Sequence, residues 1–312
     1  MNLTTRVTTS PEEAARCLVR GGTVAIPTET VYGLAALATD DSAIRKVFEA
    51  KGRPMNHPLI VHVSSLDMAR RFGDFSPSAE ALACKFWPGP LTLVVERTPL
   101  VSDAVTGGRD TVALRVPRHL ATQRVIDICG TGIVAPSANV FGHVSPTSVA
   151  HVLHDLGGRI DMILDGGDCE VGVESTIVEC SGELQVLRPG AISVTEIESC
   201  TGRIVMPTTG ESRAAGMLTS HYAPRARVHL VTDAREADSL KAEMARAGRS
   251  SVIIGRDITV TDYAATLYRQ MRTADAEGAQ DIIALLPSGD GLAAAVRDRL
   301  TKAAADTSGI GD

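Results

Sequence analysis

Apolar positions along this chain follow two rhythms: short β-branched runs that read as strands, and stretches with apolar residues three and four apart that read as helices. Thr23-Val24-Ala25-Ile26 is the first such run, set after Gly21-Gly22, and it opens into the polar stretch Pro27-Thr28-Glu29-Thr30-Val31-Tyr32-Gly33-Leu34. Ahead of it, Ser10-Pro11-Glu12-Glu13 joins an N-cap serine, a proline at the first helical position and an acid three residues after the cap, predicting a helix to about Arg20. A second helix is predicted from Asp41, burying Ile44, Val47 and Phe48 and stopping at Gly52, so that Lys51 and Arg53 flank a sharp exit. Further strands are predicted at 58–63, 91–95, 111–117, 133–135, 162–164, 172–179 and 184–187. Helices are predicted after Ser76-Pro77, through Val125 and Ile126 to Gly130, and from a Ser145-Pro146-Thr147 cap to about Leu156.

These strands and helices do not keep a strict βαβ rhythm, and several strands are separated only by turns. That pattern predicts a twisted, mixed, open sheet flanked by helices. From Met206 to Gly216 apolar periodicity disappears and Pro, Thr, Gly and Ser take over, as in a linker. Beyond it, Val228 to Val231, Ser251 to Ile254 and Asp281 to Leu285 read as strands alternating with helices near 234–247, 261–276 and 290–305, a small Rossmann-like α/β domain with a parallel sheet. The expected boundaries are therefore 1–205, a linker over 206–225, and 226–312. The second domain has neither Gly-x-Gly-x-x-Gly nor Gly-x-x-x-x-Gly-Lys, and so no nucleotide-binding loop of its own.

Composition narrows the function. The 312 residues exceed what one core usually holds, and 44% hydrophobic with 22% charged residues is ordinary for a globular protein. Five Phe, four Tyr and one Trp, with a net charge of -6, argue against a surface that stacks bases or spreads over phosphates. The six cysteines stand singly, with no Cys-x-x-Cys pair, so they read as thiols in a reducing compartment rather than as a zinc site or disulfide frame. No apolar run approaches the roughly 18 residues that span a bilayer, and the polar start lacks a signal-peptide pattern. A cytoplasmic location with no membrane contact is expected.

Cations and hydroxyls gather at predicted element ends in the first domain. Lys51, Arg53, Arg115 and Arg188 are joined there by Thr30, Thr111, Ser137, Ser145, Ser175 and Thr176. Such a set suits a polyanion, because guanidinium and ammonium groups make charge-assisted bonds to phosphate and stabilise charge that develops in phosphoryl or nucleotidyl transfer. Glu29 and Glu174 are the acids expected to face such a site. No nucleophile elbow, Ser/His/Asp order or cage of metal ligands is present, which points to a reaction run by positioning two substrates.

Taken together, the segments 21–34, Lys51-Gly52-Arg53-Pro54, Pro58-Leu59-Ile60-Val61-His62, Trp87-Pro88-Gly89-Pro90-Leu91-Thr92, Ala135-Pro136-Ser137-Ala138-Asn139, Gly172-Val173-Glu174-Ser175-Thr176 and Leu187-Arg188-Pro189-Gly190 resemble the YrdC-type threonylcarbamoyl-AMP synthases. The motifs run in the family's order over about residues 10–200. Gly216-Met217 and His221-Tyr222-Ala223-Pro224 look like the linker of that family's long form, which carries an extra C-terminal domain. The resemblance implies synthesis of threonylcarbamoyl-AMP and pyrophosphate from L-threonine, bicarbonate or CO2, and ATP, with Mg2+ accompanying ATP. The product would pass to the machinery that threonylcarbamoylates tRNA. It implies threonine contacts at Thr30, His62, Arg115 and Ser175, and contacts to ATP or the adenylate at Lys51, Arg53, His57, Thr111, Ser137, Asn139, Ser145 and Arg188. Lys51 and Arg53 would be catalytic, no protein metal ligand is implied, and Tyr222 would cover the nucleotide from the linker. His57 stands where the family commonly has asparagine, and Ala215 where it often has proline. An RNA-binding module and a Mg2+-dependent lyase of similar fold are the alternatives. The net charge speaks against the first, and the lack of clustered acids against the second.

Overall fold

The computed structural model describes residues 4–208 and 222–305. The first unit is built on one large mixed sheet whose strands are β1 (Arg6–Thr8), β2 (Val24–Ile26), β3 (Gly33–Leu37), β4 (Ile60–His62), β5 (Gly73–Asp74), β6 (Leu91–Arg97), β7 (Thr111–Arg115), β8 (Ile133–Val134), β9 (Met162–Leu164), β10 (Thr176–Glu179) and β11 (Gln185–Arg188). They run in the order β1-β9-β2-β3-β8-β4-β7-β6-β10-β11, with β5 pairing to β6. Parallel and antiparallel pairs alternate irregularly, as in β4 with β7 (parallel) beside β7 with β6 (antiparallel). The expected mixed sheet flanked by helices is the observed one.

Local chemistry sets the helix ends. Ser10 accepts from Glu13 N and Ser76 from Ala79 N, so the helices Pro11–Val19 and Pro77–Phe86 begin as their sequences predict. The helix Asp41–Lys51 stops at Gly52, whose φ of 64° lies in the left-handed region that an exit of this kind requires. One cap differs from expectation. The helix Val149–Leu156 is capped by Ser148, and Ser145 is instead turned into the interior to bond Glu174. Three strands escaped the pattern: β1 sits in a segment that reads as polar, β3 is Gly-Leu-Ala-Ala-Leu, with no polar alternation to mark it, and β5 is only two residues long.

The main core lies on one face of the sheet, under the helices Asp41–Lys51 and Pro77–Phe86, and includes Val61, Leu93 and Leu114. Because side chains alternate along a strand, the neighbours Ile60, Val94, Ala113, Ile177 and Leu187 form a second, small apolar floor on the opposite face. His62 and Arg115 stand at the end of that floor, paired in register across β4 and β7.

The C-terminal unit has three parallel strands, β12 (Arg227–Val231), β13 (Ser251–Ile254) and β14 (Asp281–Leu285), in the order β12-β14-β13, with β14 central. Its helix Val260–Ala276 packs on the first unit. Arg272 meets Asp155 at 2.6 Å, Arg269 meets Asp168 at 3.2 Å, and the Tyr268 hydroxyl donates to Glu174 at 2.8 Å. Most of the expected linker, residues 209–221 with Ala215, Gly216, Met217 and His221, lies outside the described residues. No described helix is long and apolar enough to cross a membrane.

Candidate active site

One cavity gathers side chains from six separate places in the chain. Thr28 and Thr30 come from the loop after β2, Arg53 from the helix exit, His62 from β4, Arg115 from β7, Ser137 from the loop after β8, and Glu174, Ser175 and Arg188 from the β10–β11 hairpin region. Tyr222 closes it. Of the residues expected at the site, eight line this cavity: Thr30, Arg53, His62, Arg115, Ser137, Ser175, Arg188 and Tyr222.

The loop after β2 is buried throughout residues 27–32, unlike an ordinary surface turn. The Thr28 hydroxyl holds it in shape, donating to Val31 O at 2.6 Å and accepting from Thr30 N and Val31 N. Arg115 crosses to this loop. Its Nη1 donates to Thr30 Oγ1 at 2.9 Å, its Nε to Gly89 O at 3.2 Å, and its Nη2 lies 2.8 Å from Glu29 Oε1. This last contact is a close charge pair whose N–H bonds do not aim at the oxygen, so neither atom is hydrogen-bonded to a protein partner. Glu29 also accepts from Arg118 N at 3.1 Å. Burial pushes the Glu29 carboxyl up, but Arg115 outweighs it and holds the group ionised.

His62 is buried beside Arg115, and both effects disfavour its charged form, bringing it down to about 3. Its Nδ1 lies 3.3 Å from Ile60 O, a contact that fits an Nδ1–H tautomer and leaves Nε2 as an acceptor. On the other wall, Arg188 Nε donates to Ser175 O and Nη2 to Ser175 Oγ, both at 3.1 Å, and Ser175 Oγ shares a 2.7 Å bond with Thr92. Arg53 donates to Pro58 O at 3.0 Å; burial lowers it to about 10, which leaves it charged at neutral pH. Three guanidinium groups thus share one small, partly apolar chamber, an arrangement that calls for an anionic guest.

The other expected residues stand behind or beyond the wall. Lys51 is buried, and its Nζ donates to Ser137 O at 2.5 Å and Asn139 O at 2.6 Å, so it ties down the loop that carries Ser137. Its ammonium is pushed well below its ordinary range by burial and by Arg53. The Asn139 side chain donates to Val140 O and His143 O. Ser145 bonds Glu174. His57 packs against Phe141 with ring centroids 5.4 Å apart, outside the cavity, while Arg53 lies over the same ring at 5.8 Å. Thr111 shares a face of β7 with Arg115 but lies four residues away, about 13 Å along a strand. There it borders an open groove with Glu96, Asp103 and Asp110, a poor setting for a polyanion.

Both carboxylates near the cavity are engaged by arginines. Glu174 accepts from Ser145 Oγ at 2.6 Å, Tyr268 OH at 2.8 Å and Arg299 Nε at 2.8 Å. Burial pushes its carboxyl up, yet Arg299 and Arg188 overcome this and bring it to about 2. Among the described residues no group of three or more His, Cys, Asp or Glu is placed to hold a metal ion. A Mg2+ cage built from protein carboxylates therefore does not fit this donor set, whereas a Mg2+ carried by phosphate oxygens does.

A family profile described as "Telomere recombination" matches residues 16–190, and one described as "Threonylcarbamoyl-AMP synthase, C-terminal domain" matches residues 192–305. The chain belongs to the threonylcarbamoyl-AMP synthase family. It is 40% identical to the threonylcarbamoyl-AMP synthase of Pyrococcus abyssi, over 93% of this chain and 92% of that one. It is 37% identical to that of Bacillus subtilis, over 94% and 92%. Among solved structures, P. abyssi Sua5 complexed with L-threonine superposes with a TM-score of 0.90 at 36% identity, covering 97% of this chain and 98% of that chain. HypF shares the fold of the first unit at 18% identity and a TM-score of 0.53. The family match spans both units, so the C-terminal unit is a regular part of this architecture. Two of its residues that meet the site, Tyr268 and Arg299, were not legible in the sequence. Each stands among several polar residues of an ordinary amphipathic helix, with nothing in the pattern to single it out.

Proposed function

We propose that this chain condenses L-threonine, bicarbonate or CO2, and ATP into threonylcarbamoyl-AMP, with release of pyrophosphate. The observation that carries the reading is the convergence of Arg53, Arg115 and Arg188 with a neutral His62 and Thr30 in one buried cavity, in a member of this family. In this reading Arg115, fixed by Glu29 and Thr30, binds the threonine carboxylate. His62 Nε2 and the Thr30 hydroxyl orient the amino acid's polar groups.

The threonine amine attacks CO2, forming the N–C bond and losing a proton. A carbamate oxygen then attacks the α-phosphorus, and the bond to the leaving pyrophosphate breaks. Arg53 and Arg188 offset charge on the phosphates, and Mg2+ arrives with ATP as part of the substrate. Lys51 supports the reaction by holding the Ser137 loop, and Tyr222 covers the nucleotide. No side chain that lines the cavity pairs a nucleophile with a base, which supports direct adenylation without a covalent enzyme intermediate. In a cytoplasmic setting the product would feed threonylcarbamoyl transfer to tRNA.

The test is pyrophosphate release from MgATP, measured with and without threonine and bicarbonate, for the wild type, Arg53→Ala and Arg188→Ala. Release that needs both co-substrates is expected. A loss of roughly tenfold or more in kcat/KM for ATP is expected in each variant, in line with removing a hydrogen bond to a charged group. Folded wild-type protein without such release would overturn the reading.

A further inference from the structure

Glu174 belongs to the first unit and lines the cavity, but the guanidinium that hydrogen-bonds its carboxylate comes from the other unit. Arg299 sits in the helix Leu292–Ala304 with its side chain fully buried, and its Nε donates to Glu174 Oε2 at 2.8 Å. The Tyr268 hydroxyl donates to the same oxygen at 2.8 Å, and Ser145 Oγ to Oε1 at 2.6 Å. Arg299 is in turn held by Asp298 at 2.5 Å, which Lys302 braces at 2.7 Å. The guanidinium also lies over the Tyr222 ring, 5.2 Å from its centroid, while Tyr222 stacks on Tyr268 at 5.7 Å.

The residue after Glu174 is Ser175, whose carbonyl and hydroxyl both accept from Arg188. A buried carboxylate without a close cation is strongly unfavourable, and it would seek the nearest one. Within the first unit that cation is Arg188, close enough to act on Glu174. We propose that Arg299 is a positioning residue of the adenylate site: by holding the Glu174 carboxylate it keeps Arg188 on Ser175 and aimed at phosphate, so the C-terminal unit completes the ATP site. The inference rests on the function proposed above. It gives the second unit a defined chemical duty, the supply of one guanidinium hydrogen-bonded to a carboxylate that would otherwise have to draw on Arg188 alone.

The test uses the full chain, with pyrophosphate release followed against MgATP and against threonine. Arg299→Ala is expected to raise KM for MgATP at least tenfold, with KM for threonine changing less than threefold. Adding Glu174→Gln to that background is expected to recover most of the loss, because the carboxylate that needs the guanidinium is then gone. Arg299→Lys, which keeps the charge but not the geometry, is expected to fall between the wild type and Arg299→Ala. It also serves if the alanine variant does not fold, since adding Glu174→Gln to it should likewise lower KM for MgATP. An unchanged KM for MgATP in folded Arg299→Ala would overturn the inference. So would an equal rise for both substrates, or a defect that Glu174→Gln does not relieve. Wild-type protein that fails to release pyrophosphate would count against the proposed function instead, and the two failures are distinct.

Discussion

Arg115 Nη2 and Glu29 Oε1 stand 2.8 Å apart with their side chains only 4% and 2% exposed, so this ion pair is an interior one. Surface pairs contribute about 0–1 kcal/mol, whereas removing one partner of a buried pair costs about 3–5 kcal/mol because the other is left as an unpaired buried charge. Glu29→Gln is therefore expected to lower stability by about 3–5 kcal/mol and to let Arg115 drift from Thr30. Denaturant midpoints would show the first effect and a raised KM for threonine the second. A variant with wild-type midpoint and KM would mean that Arg115 is held by Thr30 and Gly89 alone.

Much of this site was legible because its residues sit where strands end, and strand ends are marked by β-branched runs that give way to hydroxyls and cations. Thr30, Arg115, Ser175 and Arg188 were found that way, His62 came in only through the family resemblance, and the structure brings the five together. Register did the rest: His62 and Arg115 meet because β4 and β7 are parallel and paired residue for residue, which no periodicity within either strand reveals. The same limit explains Lys51, Asn139 and Ser145. Their types suit a phosphate site, but whether a donor points at a ligand or at a nearby carbonyl is settled by tertiary packing. Strand β3 went unread because an apolar segment without polar positions carries no alternation.

His62 gives a pH dependence whose sign can be worked out. Its ordinary pKa is 6.5, and burial, followed by the neighbouring Arg115, lowers it to about 3 in the folded protein. Below pH 6.5 the unfolded chain takes up a proton that the folded protein does not, so stability is full above that pH and falls toward pH 3. The slope approaches about 1.4 kcal/mol per pH unit. Glu174, with its pKa lowered from 4.5 to about 2, contributes stability that is full above pH 4.5 and is lost below it. Between pH 6.5 and 5 the histidine is thus separable from Glu174. His62→Gln is expected to flatten the fall in urea midpoint over that interval relative to the wild type. An unchanged slope would place the titration on other histidines, such as His151.

Gly172 is a point of close backbone approach between the two units. A Cβ there would lie 2.4 Å from Ala264 O and 2.5 Å from the Ala265 Cα, and its φ of 77° is in the left-handed region. Neither neighbour is a flexible side-chain end that can swing aside. Gly172→Ala is expected to push the helix Val260–Ala276 away and loosen Tyr268 from Glu174, at a cost of about 1–3 kcal/mol or more. Faster hydrogen exchange along that helix and a raised KM for ATP would check this. Unaltered exchange there would show that the interface yields without separating.

Tyr222 closes the cavity proposed here as the nucleotide site. With it in place the cavity has a volume of only about 50 Å3, whereas pockets for ligands of this size run to about 300–1,000 Å3. Its side chain is buried between Tyr268 and Arg299, and its φ of 62° is uncommon for a tyrosine, a conformation that costs about 1–3 kcal/mol and must be held by those contacts. In the proposed reaction Tyr222 would leave to admit ATP, and its return behind the adenylate would retain a product prone to hydrolysis. Tyr222→Ala removes the ring while leaving Arg53 and Arg188 in place. It is expected to speed association of a fluorescent ATP analogue several-fold in stopped-flow mixing and to raise the share of threonylcarbamoyl-AMP that escapes and decays. An association rate equal to that of the wild type would mean that another step, such as rearrangement of Arg53 or the Ser137 loop, controls access to the site.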